Sequence, residues 1–267
     1  MTGETIGFIG VGSQGGPMAH RIIDAGMPLV VWARRAEAMT DYVAKGAIAA
    51  GSIAELGAQC DQVGVCVLTD ADVLQVCDAL IPAMRPGSRL AIHATALPQT
   101  CHTLAERCAE RGIGLIDAPV SGGSPAAEAG TLTVMCGGDK AVFDACLPVF
   151  ETFGKLIMLL GPVGAGQQVK LINNAMLAAN MGIAHAAFDV AAALGIDAAA
   201  LAELINASSG RSFGFETYAR LPTPNAFSVG APRLVKDVAL LKTLLPDNAG
   251  TEALRATAEP FLAAASQ

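Results

Sequence analysis

Four groups of residues in this chain have the types and spacing for chemistry. The first is Gly10-Val11-Gly12-Ser13-Gln14-Gly15. In such a run Gly10 permits a tight turn, Gly12 removes a side chain that would hold a diphosphate off the backbone, and Gly15 lets a helix pack closely on the preceding strand. A helix that begins there presents unpaired N–H groups and the positive end of its dipole to phosphate oxygens. The second group is Arg34-Arg35, reached through Trp32-Ala33 with no acid before Glu37. A site for NAD places a carboxylate there to accept from the ribose 2′-OH, whereas guanidinium groups grip a 2′-phosphate in a bidentate way. The expected cofactor is therefore NADP(H) in preference to NAD(H), with a pair of solvated surface arginines as the alternative. The third group is Ser121-Gly122-Gly123, a hydroxyl beside two bare backbone amides that can cradle a carboxylate. The fourth is Lys170 with Asn174, four residues apart and so one turn apart on one helix face. An amine flanked by Val169, Leu171 and Ile172 is a candidate general acid or base, since burial brings an ammonium toward the working range. Asn174 is then placed to hold a substrate oxygen or the lysine itself.

These groups need elements to position them. Residues 5–9 (TIGFI) read as a buried strand, 16–25 as a helix closed by Gly26, and 28–32 (PLVVW) as a second strand. That is the strand–turn–helix–strand order of a dinucleotide fold. Further strands are expected at 63–68, 89–93, 114–117, 132–136 and 156–160, with helices at 70–80 and 100–111. Alternating strands and helices imply an α/β, doubly wound and mainly parallel sheet, with ligands at the carboxyl ends of its strands. Leu68, Thr69 and Thr95 fall at such ends and are candidates for the nicotinamide side, with ordinary loop and cap roles as the alternative. After Pro162-Val-Gly164-Ala-Gly166 the strand pattern stops. One long helix is expected over 167–194, and shorter ones over 197–207, 232–245 and 251–265. The expected organisation is a Rossmann domain at 1–161 and an all-α domain at 162–267.

Composition narrows the classes. The 267 residues are 52% hydrophobic and 15% charged, with a formal net charge of −7. A disordered chain inverts that balance, and the lack of a basic run argues against nucleic acid as a partner. Residues 1–12 show no signal-peptide pattern and the apolar run at 156–160 is far short of a membrane span, so no membrane partner and a cytoplasmic location are expected. Seven scattered cysteines without a C-x-x-C pair suit reduced thiols in a core. The four histidines lack ligand spacing, so no metal is expected. Lys236-Asp237 reads, by itself, as an exposed pair of neighbouring charges.

Taken together, GFIGVGSQGGPMA at 7–19, DAPVSGGSPAAEAGTLTVMCGG at 117–138, GAGQQVKLINN at 164–174 and KDVALL at 236–241 resemble the β-hydroxyacid dehydrogenases, in order and spacing and over nearly the whole chain. The resemblance implies a Rossmann domain followed by a helical one, and NAD(P)-dependent exchange of hydride with a small β-hydroxy acid or its semialdehyde. It implies Lys170 as the catalytic lysine, Asn174 as a substrate contact, Ser121, Gly122 and Gly123 as carboxylate anchors, and Thr95 and Lys236 as cofactor contacts. It also implies a homo-oligomer, dimer or tetramer, formed through the helical domains. Lys170 argues against the imine reductase branch, which replaces the lysine. Asn173 stands where the 6-phosphogluconate dehydrogenases carry His, which argues against oxidative decarboxylation. The rival readings are a reductase of imines or unusual aldehydes in the same fold, and an NADP-binding sensor or scaffold without turnover.

Overall fold

A computed structural model describes residues 3–266. The chain divides into two compact units, one running to Lys170 and the other from Leu171 onward.

The first unit is built on β1 (Ile6–Ile9), α1 (Gly15–Asp24), β2 (Leu29–Trp32), α2 (Thr40–Ala44), β3 (Ile48–Ala49), α3 (Ile53–Gln59), β4 (Gln62–Val65), α4 (Asp70–Leu80), β5 (Arg89–Ile92), α5 (Pro98–Ala109), β6 (Gly114–Asp117), β7 (Val120–Ser121), α6 (Gly123–Glu128), β8 (Leu132–Gly138), α7 (Lys140–Phe150) and β9 (Gly154–Leu159). The sheet order is β3-β2-β1-β4-β5-β6-β8-β7, with β9 on β8. Strands β1 to β6 pair in parallel, while β8 pairs antiparallel with β6 and β7. The order reverses between β1 and β4, and both strands end at the glycine turn after Ile9. Both sheet faces are buried, which explains the unbroken apolar runs. Phe8 and Val31 enter one core with Met18, Ile22, Phe150 and Phe153. Their neighbours Ile9 and Val30 enter the other, with Leu56, Val65, Leu80 and Leu104. Six of the seven cysteines are buried in these layers. Burial pushes Cys60, Cys77, Cys108, Cys136 and Cys146 up to about 12, so these thiols are protonated packing groups.

The expected strands and helices lie within a few residues of their observed ends, while the structure adds β3, β7, α2, α3, α6 and α7. In α7 an internal Pro148 obscures the helical pattern, although Asp139 caps it by accepting from Ala141 N (2.8 Å) and Val142 N (3.3 Å). The short α6 begins inside the serine–glycine motif at Gly123, where a turn alone was expected.

The helix α8 (Ala165–Ala193) starts in the first unit and continues into the second, which adds α9 (Ala198–Asn206), α10 (Phe213–Ala219), α11 (Ala231–Leu244) and α12 (Ala249–Ala265). Of these, α10 was not expected from the sequence. In length and composition α8 matches a membrane span. It supplies Leu171, Ala175, Ala178, Met181 and Ala184 to the core of the second unit, together with Phe215, Tyr218, Leu234, Val238 and Phe261. Glycine allows the close crossing of α8 and α12: a Cβ at Gly182 would lie 1.9 Å from Thr257 O.

Candidate functional site

The glycine turn after β1 has the geometry its sequence predicts. Gly10 sits at φ +96°, and a Cβ there would lie 2.2 Å from Cys66 O on the neighbouring strand end. A Cβ at Gly15 would lie 2.1 Å from Gly10 O, so the helix must begin with glycine to come this close. Nothing lies within 4 Å of a Cβ at Gly12, which leaves the outer side of the turn open to a ligand. Gln14 places no side-chain cap on α1, unlike the residues that cap α3, α4, α7, α9, α10 and α12. Val11, Ser13 and Gln14 complete this turn. A turn of small residues, a helix start that Gln14 does not cap and half-buried or exposed residues fit a diphosphate.

Two neighbouring strand ends extend this surface. Beyond β2, Arg34 and Arg35 are both exposed. Arg34 Nη2 donates to Asp72 Oδ1 at 3.0 Å. Beyond β4, Leu68 is 56% exposed, an apolar plate at a strand end. The Thr69 hydroxyl is engaged in a capping box: it accepts from Asp72 N (3.1 Å) and donates to Asp72 Oδ2 (2.7 Å). The cap alternative raised for Thr69 therefore describes its hydroxyl, while its backbone remains at the strand end.

The ends of β5 and β6 hold the start of α8. Asp117, fully buried, accepts from Gly164 N at 2.6 Å and Gln167 N at 2.9 Å. Two of the amides that α8 leaves unpaired at its start are thus satisfied by a carboxylate that also complements the helix dipole. Burial pushes the Asp117 carboxyl up to about 6, against these two hydrogen bonds, which favour its ionised form. The Gln167 side chain, equally buried, accepts from Ala96 N (3.0 Å) and donates to Ala94 O (2.8 Å), bracketing Thr95. Gly166 approaches β8 so closely that a Cβ would lie 2.2 Å from Met135 O, and His102 Nε2 meets Val163 O at 2.7 Å. The motif GAGQQ is thus a docking device for a helix. Lys170 is three residues beyond Gln167, on the neighbouring turn of the same face, and is only 6% exposed. His93, at the end of β5, is packed among Phe8, Phe150 and Phe153 with Nδ1 2.8 Å from Ala118 O.

Ser121 ends β7, opposite Thr133 of β8. Gly122 (φ +130°) and Gly123 (φ +71°) follow in conformations that favour glycine, and both are exposed.

In the second unit, Asn174 donates through Nδ2 to Asp237 Oδ2 at 2.6 Å and accepts from Asn173 Nδ2 at 3.1 Å. Lys236 Nζ lies 3.1 Å from Asp237 Oδ1. The reading of Lys236-Asp237 as an exposed pair is corrected here: Asp237 is 3% exposed and joins α11 to α8. The only hint in the sequence was an acid amid Leu234, Val235 and Val238, on what proves to be a buried helix face.

A mainly parallel sheet whose central strand ends in a glycine-rich helix start, with a buried lysine on a helix pinned to neighbouring strand ends, defines a dinucleotide-dependent oxidoreductase. Comparison with known proteins agrees. The family model described as the NAD binding domain of 6-phosphogluconate dehydrogenase matches residues 5–161. The one described as the NAD-binding domain of NADP-dependent 3-hydroxyisobutyrate dehydrogenase matches residues 164–267. The chain is 36% identical to the NAD-dependent L-serine dehydrogenase of Pseudomonas aeruginosa, over 80% of this chain and 73% of that one. It is 36% identical to the mitochondrial 3-hydroxyisobutyrate dehydrogenase of Drosophila melanogaster, over 82% of this chain and 68% of that one. The structure resembles that of Mycobacterium tuberculosis 3-hydroxyisobutyrate dehydrogenase with L-serine, at a TM-score of 0.85 and 26% identity, covering 97% of this chain and 92% of that one. The chain belongs to the hydroxyacid dehydrogenase family that includes the 3-hydroxyisobutyrate dehydrogenases, and is an NAD(P)-binding enzyme.

Proposed function

We propose that this enzyme transfers hydride reversibly between NADP(H) and a small β-hydroxy acid or the corresponding semialdehyde. The nicotinamide supplies or accepts the hydride when bound; the chain supplies placement and a proton. The glycine turn at 10–15 and the start of α1 hold the diphosphate, Arg34 and Arg35 hold the 2′-phosphate, and Leu68, Thr69, Thr95 and Lys236 line the rest of the dinucleotide. Ser121 and the amides at Gly122 and Gly123 hold the substrate carboxylate, and Asn174 assists at the reacting end. In the reductive direction the Lys170 ammonium gives a proton to the carbonyl oxygen as hydride reaches the carbon. In the oxidative direction the neutral amine accepts the hydroxyl proton. Both steps balance without water or metal.

The observation that carries this reading is the anchoring of α8. Asp117 and Gln167 fix its first turns to the strand ends beside the dinucleotide turn, and Lys170 follows one turn later, buried. The test is Lys170→Ala assayed against a panel of small β-hydroxy acids, L-serine and 3-hydroxyisobutyrate among them. General acid–base catalysis is worth about 10²–10⁴-fold, so kcat should fall by that factor while NADPH still binds. A loss of less than about tenfold overturns the role.

Assembly through the helical unit is part of the proposal. Met176, Ile183 and Val190 are about half exposed and spaced by seven residues, the repeat that lets two helices pair along a seam. Light scattering at several concentrations tests it, and a monomer throughout overturns it.

A further inference from the structure

An acid directly after the second strand selects NAD over NADP, and the question is whether one stands there before Glu37. None does. The fold nevertheless brings one to the place, from a different element. Asp72, in the first turn of α4, accepts from Arg34 at 3.0 Å. Its carboxylate is held in a fixed orientation: Oδ2 accepts from the Thr69 amide (3.1 Å) and hydroxyl (2.7 Å), while Oδ1 faces Arg34. The same contacts keep its carboxyl below the usual carboxylate range.

We propose that Asp72 is a cofactor-selectivity residue: its carboxylate competes with the 2′-phosphate of NADP for the Arg34 guanidinium, and so narrows the preference for NADP(H) over NAD(H). A 2′-phosphate approaching Arg34 meets a cation already neutralised and a like charge at its shoulder. A 2′-hydroxyl meets neither obstacle, because it is uncharged and can donate to a carboxylate. Arg35, next along the chain and exposed, is left to supply the larger share of the phosphate grip. The reading makes the enzyme permissive toward both dinucleotides, where the arginine pair alone favours NADP.

This inference rests on the dinucleotide reading above, and binding separates the two. Trp32 is the sole tryptophan and lies two residues from Arg34, so its emission reports bound NADPH or NADH without any turnover. The variants are Asp72→Asn, Asp72→Ser, Arg34→Ala and the Asp72→Asn/Arg34→Ala double variant. Asn and Ser both remove the charge; each retains an oxygen for the Thr69 amide, so a fault in folding confined to one is recognised by the other. Both should tighten NADPH about three- to fivefold, the scale of an exposed ion pair, and change NADH by less than about twofold. High salt should shrink the gain. On the Arg34→Ala background the Asp72→Asn gain for NADPH should shrink to what relief of the like charge alone leaves, below about twofold. Equal effects on both dinucleotides, weaker NADPH binding, or a gain undiminished without Arg34 would each overturn the inference. If the parent chain bound neither dinucleotide, the cofactor reading itself would fall first.

Discussion

Acidification should act on two buried groups of opposite sign, and a single substitution separates them. His93 meets only a carbonyl at Nδ1, so that nitrogen carries the proton, and the ring is enclosed by three phenylalanines. Burial lowers its pKa from 6.5 to about 4. The unfolded chain therefore binds a proton that the folded chain refuses, and the stability His93 contributes is complete above pH 6.5 and is lost as pH falls toward 4. At about 1.4 kcal/mol per pH unit, the loss between pH 7 and pH 4.5 is about 2.5 kcal/mol. Asp117 runs the other way. Its value is raised from 3.8 to about 6, so ionisation destabilises the fold above pH 6, and about 2 kcal/mol returns as pH falls to 4.5. In the parent chain the two nearly cancel. His93→Gln, which never titrates, removes one of them. Denaturant unfolding followed by Trp32, which sits in β2 of the same unit, gives the stability of both chains at each pH. Subtracting one from the other cancels every other carboxylate. The advantage of the parent over His93→Gln should shrink by about 2.5 kcal/mol from pH 7 to pH 4.5. A gap that moves by less than about 1 kcal/mol would show that His93 is not held neutral by its surroundings, and would refute the argument from burial.

The other predictions concern placement. Gln167→Leu keeps the volume but leaves Ala96 N–H and Ala94 C=O unpaired in a buried setting, at about 1–3 kcal/mol each; kcat should fall with little change in NADPH affinity, read by steady-state kinetics beside a binding titration. Gly15→Ala must displace Gly10 O, which its Cβ would approach to 2.1 Å, so NADPH binding should be lost or the turn destabilised, as shown by titration and thermal unfolding together. Asp237→Ala removes the acceptor that holds the Asn174 amide and an ion partner of Lys236; a lost hydrogen bond to a charged group costs about 1.5–3 kcal/mol, visible as a lower Tm, and Asp237→Asn should recover part of it. Cys66 is the half-buried thiol among six buried ones, and its backbone borders Gly10. It should alkylate first, and NADPH should slow it; equal labelling of the six others, read by peptide mass, would contradict the packing.

What the sequence reveals and what it hides divide along a physical line. Gly10 and Gly15 are legible because each answers a local steric demand that only glycine meets, and because the strand before them and the helix after them are near in the chain. Strands β1, β2, β4 and β5 are legible as apolar runs because both their faces are buried. Partners that meet across long separations leave no such mark. Asp117 and Gln167 are fifty residues apart, and neither type in its own neighbourhood suggests that one caps a helix begun by the other. Gln167 looks like a solvated polar residue beside Gln168, yet one is buried and the other exposed; a side chain that bonds both Ala94 and Ala96 cannot be told from its neighbour until the helix is docked. The same holds for Asp72 and Arg34, thirty-eight residues apart. The rule that reads cofactor choice from the end of the second strand assumes that the acid, if present, comes from that strand. In this fold α4 begins close enough to provide one, so the rule registers the cation and misses its counter-ion. Residue types at a site are therefore written in the motif, but the charge a ligand meets is set by whichever elements the sheet order places side by side.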